Sequence, residues 1–111
     1  MTVTVKVLIP ATIASNSQTT YYTATGVKAI IDKMTCTNYS AAAATLSINL
    51  VTSGDTAGNQ NLIVKTKTLQ AGECYTCPEV VGASLDAGGF ISTIAGTATA
   101  INIRASGREV T

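Results

Sequence analysis

The chain has 111 residues, of which 46% are apolar and only 12% charged, with seven Lys and Arg against six Asp and Glu and no histidine. That length suits one domain around one core, and the near-neutral balance supplies no field to draw the chain onto nucleic acid or an anionic membrane. Without histidine the usual general base near neutral pH is missing, and with it every Ser-His or Cys-His nucleophile.

The dominant pattern is period two, rich in Thr and Val, with almost no helix-period stretch. Val3, Val5, Val7 and Ile9 alternate with Thr2, Thr4, Lys6 and Leu8, and Pro10, which has no N–H to donate, is expected to end this first strand. IASNSQ reads as a polar connection, TTYYTA as a second strand and Gly26 as a turn residue. VKAIIDKMTCTNY reads as one long strand, bulged near Ile30, Ile31 and Asp32 where the alternation changes phase. SAAAA is too short for an unaided helix and is read as a turn into TLSINLV. There Leu46, Ile48 and Leu50 face one way, toward a core shared with Ile101 and Ile103, while Thr45, Ser47 and Asn49 face the other.

TSGDTAGNQ is an exposed loop, and NLIVKTKTL resumes the alternation with solvated Lys65 and Lys67. QAG turns the chain, ECYTCP extends it, and EVVGASLDAGG is a short irregular segment closing on a glycine hairpin turn. FISTIAG and TATAINIRA are the last strands, with Gly107 expected to kink the tail. About eight short strands without crossover helices predict an all-β fold: a single antiparallel β-sandwich, jelly-roll-like, spanning residues 1–111, with 1–10 as a possible assembly arm.

The motif-like stretch GECYTCP holds Cys74 and Cys77 at the spacing of a redox or metal site. In a straight strand residues i and i+3 lie about 10 Å apart on opposite faces, too far for a disulfide. Zinc usually takes four Cys or His ligands, and this chain offers only Cys36, Cys74 and Cys77. An odd, small number of cysteines suits a reducing compartment, and the plain reading makes Cys36 and one of the pair small core residues. No apolar run approaches the roughly 20 residues of a membrane helix, and MTVTVKVLIP alternates instead of forming a signal-peptide core, so synthesis in the cytosol is expected.

The carboxylates Asp32, Asp55, Glu73, Glu79, Asp86 and Glu109 read as solvated charges at turns, bends or the chain end, not as a facing pair for glycosidase chemistry. The 52–61 loop has oxygen-bearing side chains but only Asp55 as a carboxylate, too little for calcium, and DAGG lacks the Lys-Ser/Thr of a phosphate loop. Tyr21, Tyr22, Tyr39 and Tyr75 either build a sugar-stacking or partner-binding platform or are half-buried strand residues, the commoner arrangement. No catalytic, cofactor-binding or metal-ligating residue is expected.

Taken in order, Y-T-A-x-G-x-x-A-I-I at Tyr22 to Ile31, T-N at Thr37 and Asn38, L-x-A-G-E at Leu69 to Glu73, L-x-A-G at Leu85 to Gly88 and A-S-G at Ala105 to Gly107 form a succession. It resembles small virion-associated proteins of tailed bacteriophages, over about residues 20 to 110. The resemblance implies a non-enzymatic β-sandwich subunit, a decoration or cement protein bound to the capsid, made in the host cytoplasm and carried on the virion. Its implied partners are the major capsid protein or further copies of itself, as a homo-oligomer or bound to the lattice, with no nucleic acid and no membrane. A tail or head-to-tail accessory subunit is the second reading, and a carbohydrate-binding module using the tyrosines is the third.

Overall fold

The structure, a computed structural model, describes residues Met1–Thr111. Nine strands follow the alternation: β1 (Val3–Ile13), β2 (Thr19–Thr23), β3 (Lys28–Asn38), β4 (Ala44–Val51), β5 (Leu62–Leu69), β6 (Cys74–Tyr75), β7 (Ser84–Leu85), β8 (Phe90–Ala95) and β9 (Ile101–Val110). A single 3₁₀ turn, Asn59–Asn61, precedes β5. One sheet has the order β1-β9-β3-β6, with β7 also pairing β3, and the other has the order β2-β8-β4-β5. β6 and β7 occupy one edge position at opposite ends of β3, so nine strands fill eight places. Along the chain the strands alternate between sheets except in the β4–β5 hairpin and the β6–β7 segment, and the first and last strands are neighbours. This is jelly-roll order.

The core lies between the sheets. Ile31, Met34, Cys36, Ile101, Ile103 and Ala105 from one inner face meet Tyr22, Leu46, Ile48, Val64 and Ile91 from the other, all buried. The phase change expected in β3 is a register shift between Ile31 and Lys33. It turns Asp32 outward, where the Arg108 guanidinium grips it with two hydrogen bonds of 2.9 and 3.0 Å.

The turn motifs prove to be clasps between distant segments. The Asn38 backbone N–H donates to Glu73 O at 3.0 Å and its carbonyl accepts from the Gly72 N–H at 2.8 Å. Its side-chain amide donates to Leu69 O at 3.0 Å and Ala42 O at 2.8 Å, and accepts from the Ser40 N–H and hydroxyl. Asn38 is wholly buried, so this closed set of bonds satisfies an amide that would otherwise be costly. In the same way Ala24 donates to Gly89 O at 2.8 Å and accepts from the Gly88 N–H at 2.6 Å.

Several expectations change. β1 does not stop at Pro10 but runs to Ile13, because it is an edge strand whose outer side needs no donor and whose register shifts between Val7 and Ile9 and between Ile9 and Thr12. Gly107 does not kink the tail. It lies inside β9, where a Cβ would fall 2.0 Å from Ile30 O, so glycine there permits a close backbone approach. Residues 97–100 form a turn, with Thr99 at φ 52, and β9 starts only at Ile101. On β4, Leu46 and Ile48 are buried as expected, but Leu50 is only partly so, and Ser47 and Asn49 on the opposite face are buried. The 52–61 loop folds back over Asn49, whose amide donates to Gly58 O at 3.0 Å and Asn61 Oδ1 at 2.7 Å, while Ser47 Oγ accepts from the Thr66 N–H of neighbouring β5 at 2.8 Å.

Candidate functional site

The groups capable of chemistry are dispersed. Two shallow depressions, of about 120 and 290 Å³, mark the surface. The smaller, beside Leu50, Ser53 and Leu85, contains one carboxylate, Asp86; the larger, beside Asn16, Thr45, Ser47 and Thr66, contains no ionisable side chain. Ligand pockets usually measure about 300–1,000 Å³ and converge several polar groups on one spot, which neither depression does.

The carboxylates serve the scaffold. Asp55 accepts the Thr56 N–H at 2.8 Å together with Gln60 and Asn61 side-chain amides, and the Thr56 bond is the main reason its carboxyl is held below the usual range. Its oxygens thus close the loop on itself. Glu73 accepts the Gln70 N–H at 2.8 Å across the QAG turn. Glu109, expected near a loose chain end, lies within β9, where it accepts from the Tyr22 hydroxyl at 2.5 Å and from Lys6 Nζ at 3.3 Å. No group of three or more His, Cys, Asp or Glu side chains is placed to hold a metal ion.

The tyrosines do not form one platform. Tyr22 is buried against Glu109, and the Tyr21 hydroxyl accepts from the Ser15 N–H at 2.8 Å and donates to Ile13 O at 3.2 Å. Tyr75 donates to Glu79 and carries Lys67 Nζ 4.9 Å above its ring. Tyr39 is the one tyrosine that is exposed, at 49%.

ECYTCP is not one extended strand. β6 ends at Tyr75, and Cys77 has φ 48, in the left-handed region, so the chain turns and carries the Cys77 thiol inward. Cys36 and Cys77 are buried and Cys74 is exposed. The plain reading of the cysteines therefore holds, although the turn and not strand alternation separates Cys74 from Cys77.

The feature that remains unpartnered is the first half of β1. Thr2 and Thr111 exchange both backbone hydrogen bonds, at 3.3 and 2.9 Å. Alternation along an antiparallel ladder then turns the N–H and C=O of Thr4 and Lys6 toward β9 and those of Val3, Val5 and Val7 toward the open edge. The side chains of these valines share the outer face with Val110, Arg108 and Ser106 of β9, and they are 50%, 83% and 42% exposed. The other edges are blunted: β5 by Lys65, Lys67 and a left-handed Thr66, the β6/β7 edge by strands of two residues, and β2 by a register shift. Even β1 is broken after Val7 by its bulges and Pro10. Residues 3–7 are the one regular, apolar edge left open.

Alternation identified these valines as one face of a strand, but nothing in the sequence said that the face points to solvent. Comparison with known proteins matches the chain to no protein-family model, no curated protein and no solved structure.

Proposed function

We propose that this protein is a non-enzymatic structural subunit that docks onto an assembled shell, a decoration or cement protein of a tailed-bacteriophage capsid. The observation that carries the reading is the open edge of β1, where free backbone groups lie beside the exposed side chains of Val3, Val5 and Val7. Such an edge suits strand addition, in which main-chain bonds give affinity and alternate side chains give register. The succession of turn motifs supplies the viral context, and the jelly roll is an architecture that viral capsid and lectin domains use. Dispersed carboxylates and shallow depressions favour binding over catalysis. A lectin-like reading has less support, because three of the four tyrosines are committed to internal partners.

A decoration subunit that binds the finished lattice better than free capsid protein stabilises it by mass action, about 2.7 kcal/mol per site at a hundredfold excess over Kd. Quantifying the protein in purified virions tests the role. Hundreds of copies, with particles lacking the protein bursting at lower temperature, are expected. A dozen copies at one vertex would move it to the tail or neck, and absence from virions would overturn both structural roles. Val5→Lys, on an exposed side chain, is expected to leave the fold intact and weaken particle binding.

A further inference from the structure

Cys36 on β3 and Cys77 in the turn after β6 are separated by 41 positions, yet their Sγ atoms stand 3.7 Å apart with both side chains wholly buried. The turn holds this meeting in place. The Gly82 N–H donates to Ile31 O at 2.7 Å, the Val80 N–H to Cys77 O at 3.1 Å, and Val80 is buried beside them. The two sulfurs are aimed at each other and share the Tyr75 carbonyl as an acceptor, at 3.7 Å from Cys36 and 3.8 Å from Cys77. A disulfide needs about 2.05 Å between sulfurs, so bonding requires the two thiols, one on β3 and one in the turn, to approach by about 1.6 Å. Cys74, three residues before Cys77, is exposed and takes no part.

We propose that Cys36 and Cys77 are a latent cross-link, a thiol pair that peroxide converts into a buried intramolecular disulfide pinning the 76–83 turn to β3. The pair differs from an ordinary buried cysteine because each thiol has a second thiol within reach. Hydrogen bonding from the Cys77 thiol favours ionisation of Cys36, and the same bond with burial holds Cys77 in its protonated form. Hydrogen peroxide is small enough to enter during local opening of the turn. The Cys36 thiolate attacks one peroxide oxygen, the O–O bond breaks, and Cys36 becomes a sulfenic acid while the departing hydroxide takes up the Cys36 proton as water. The Cys77 sulfur then attacks the Cys36 sulfur and expels a second hydroxide, which leaves as water with the Cys77 proton. Two thiols are oxidised to one disulfide and the peroxide is reduced to two waters. The chain thus folds with its thiols reduced and is locked on meeting an oxidant. This inference stands apart from shell docking and survives its failure.

The test uses the full chain carrying Cys74→Ser, a change at an exposed position, so that only the buried pair can react. After peroxide treatment the mass should fall by two hydrogens, non-reducing digestion should join the peptides containing Cys36 and Cys77, and a reductant should reverse both changes. The melting temperature should rise by about 10 °C, because the bond closes a long loop in the unfolded chain. Adding Cys77→Ala should abolish the cross-link and leave Cys36 to stay reduced or go on to sulfinic acid. If both thiols still alkylate in denaturant after peroxide, or if Cys36 overoxidises while Cys77 stays free, the proposal is overturned.

Discussion

The Tyr22 hydroxyl donates a 2.5 Å hydrogen bond to the Glu109 carboxylate across 87 positions of sequence, tying β2 of one sheet to β9 of the other. Lys6 of β1 reaches the same carboxylate at 3.3 Å, so three strands meet at one charge. The Tyr22 bond is the main reason that the Glu109 carboxyl is held below its usual range, with Lys6 adding to it, while the Tyr22 hydroxyl, buried and facing a carboxylate, is pushed upward.

A carboxyl with a depressed folded pKa adds stability above its unfolded value of about 4.3, and that stability is lost as the pH falls through the folded value. A hydroxyl with a raised folded pKa adds stability below about pH 10 and loses it as the pH climbs. Urea denaturation from pH 7 down to pH 2 should show wild type losing more stability than Glu109→Gln. Tyr22→Phe should cost about 1 kcal/mol at pH 7, with coupling to Glu109→Gln in a double-mutant cycle. Additive single effects would mean that the bond contributes nothing.

Asn38 should be intolerant of change. Asn38→Ala would leave the Leu69 carbonyl without its buried side-chain donor and the Ser40 N–H without its acceptor, while the Ala42 carbonyl keeps the Ser40 hydroxyl at 2.9 Å, at a cost of about 2 kcal/mol. Asn38→Asp should be worse, because a carboxylate would face two carbonyl oxygens. Thermal melts of both variants check the order, and an aspartate variant as stable as wild type would contradict the assigned bonds.

Gly107→Ala should destabilise by about 3 kcal/mol, the high end for overpacking, because the new methyl would meet the Ile30 carbonyl oxygen in the middle of the sheet. Gly72→Ala is the contrasting control. Its φ of 77 disfavours a side chain, but the space is open, so about 1 kcal/mol is expected. Chemical denaturation of the pair should rank them in that order.

In the core, Leu46→Ala should cost about 2–5 kcal/mol and Ile48→Val about 0.5–1.5 kcal/mol. Leu50→Ala should cost less than Leu46→Ala, because its side chain is only partly covered. Equal losses at positions 46 and 50 would show that the β4 face is misassigned.

For the β1 edge, deleting residues 1–10 is too blunt a probe, since it removes Leu8 and Ile9, which are 3% and 1% exposed in the core. Val3→Lys with Val5→Lys keeps those contacts. The double variant should melt within a few degrees of wild type and bind particles at least tenfold more weakly, as measured by co-sedimentation; undiminished binding would remove β1 from the docking surface.

Period-two alternation, the Thr and Val content and the spacing of turn residues were sufficient for an all-β sandwich, since both the pleat and the tight turns are local properties of the chain. The bulge at Ile31–Lys33 was legible for the same reason, and the burial of two of the three cysteines from the small apolar character of a free thiol. Alternation divides a strand into two faces without saying which is covered, because coverage depends on what arrives from elsewhere. Val3, Val5 and Val7 read as one face of a strand, and they face solvent because no sheet or loop covers the outer side of β1. Ser47 and Asn49 read like surface residues, yet they are buried: the 52–61 loop closes over Asn49 with matching acceptors, and the Thr66 N–H of β5 donates to the Ser47 hydroxyl. Pro10 ends a strand only where its missing N–H would be used, and the position of β1 at an edge is a property of the sheet order. Cys36 and Cys77 meet for a similar reason: β3 and the turn after β6 come together only when the jelly roll closes, and no local spacing encodes a contact between residues 41 positions apart.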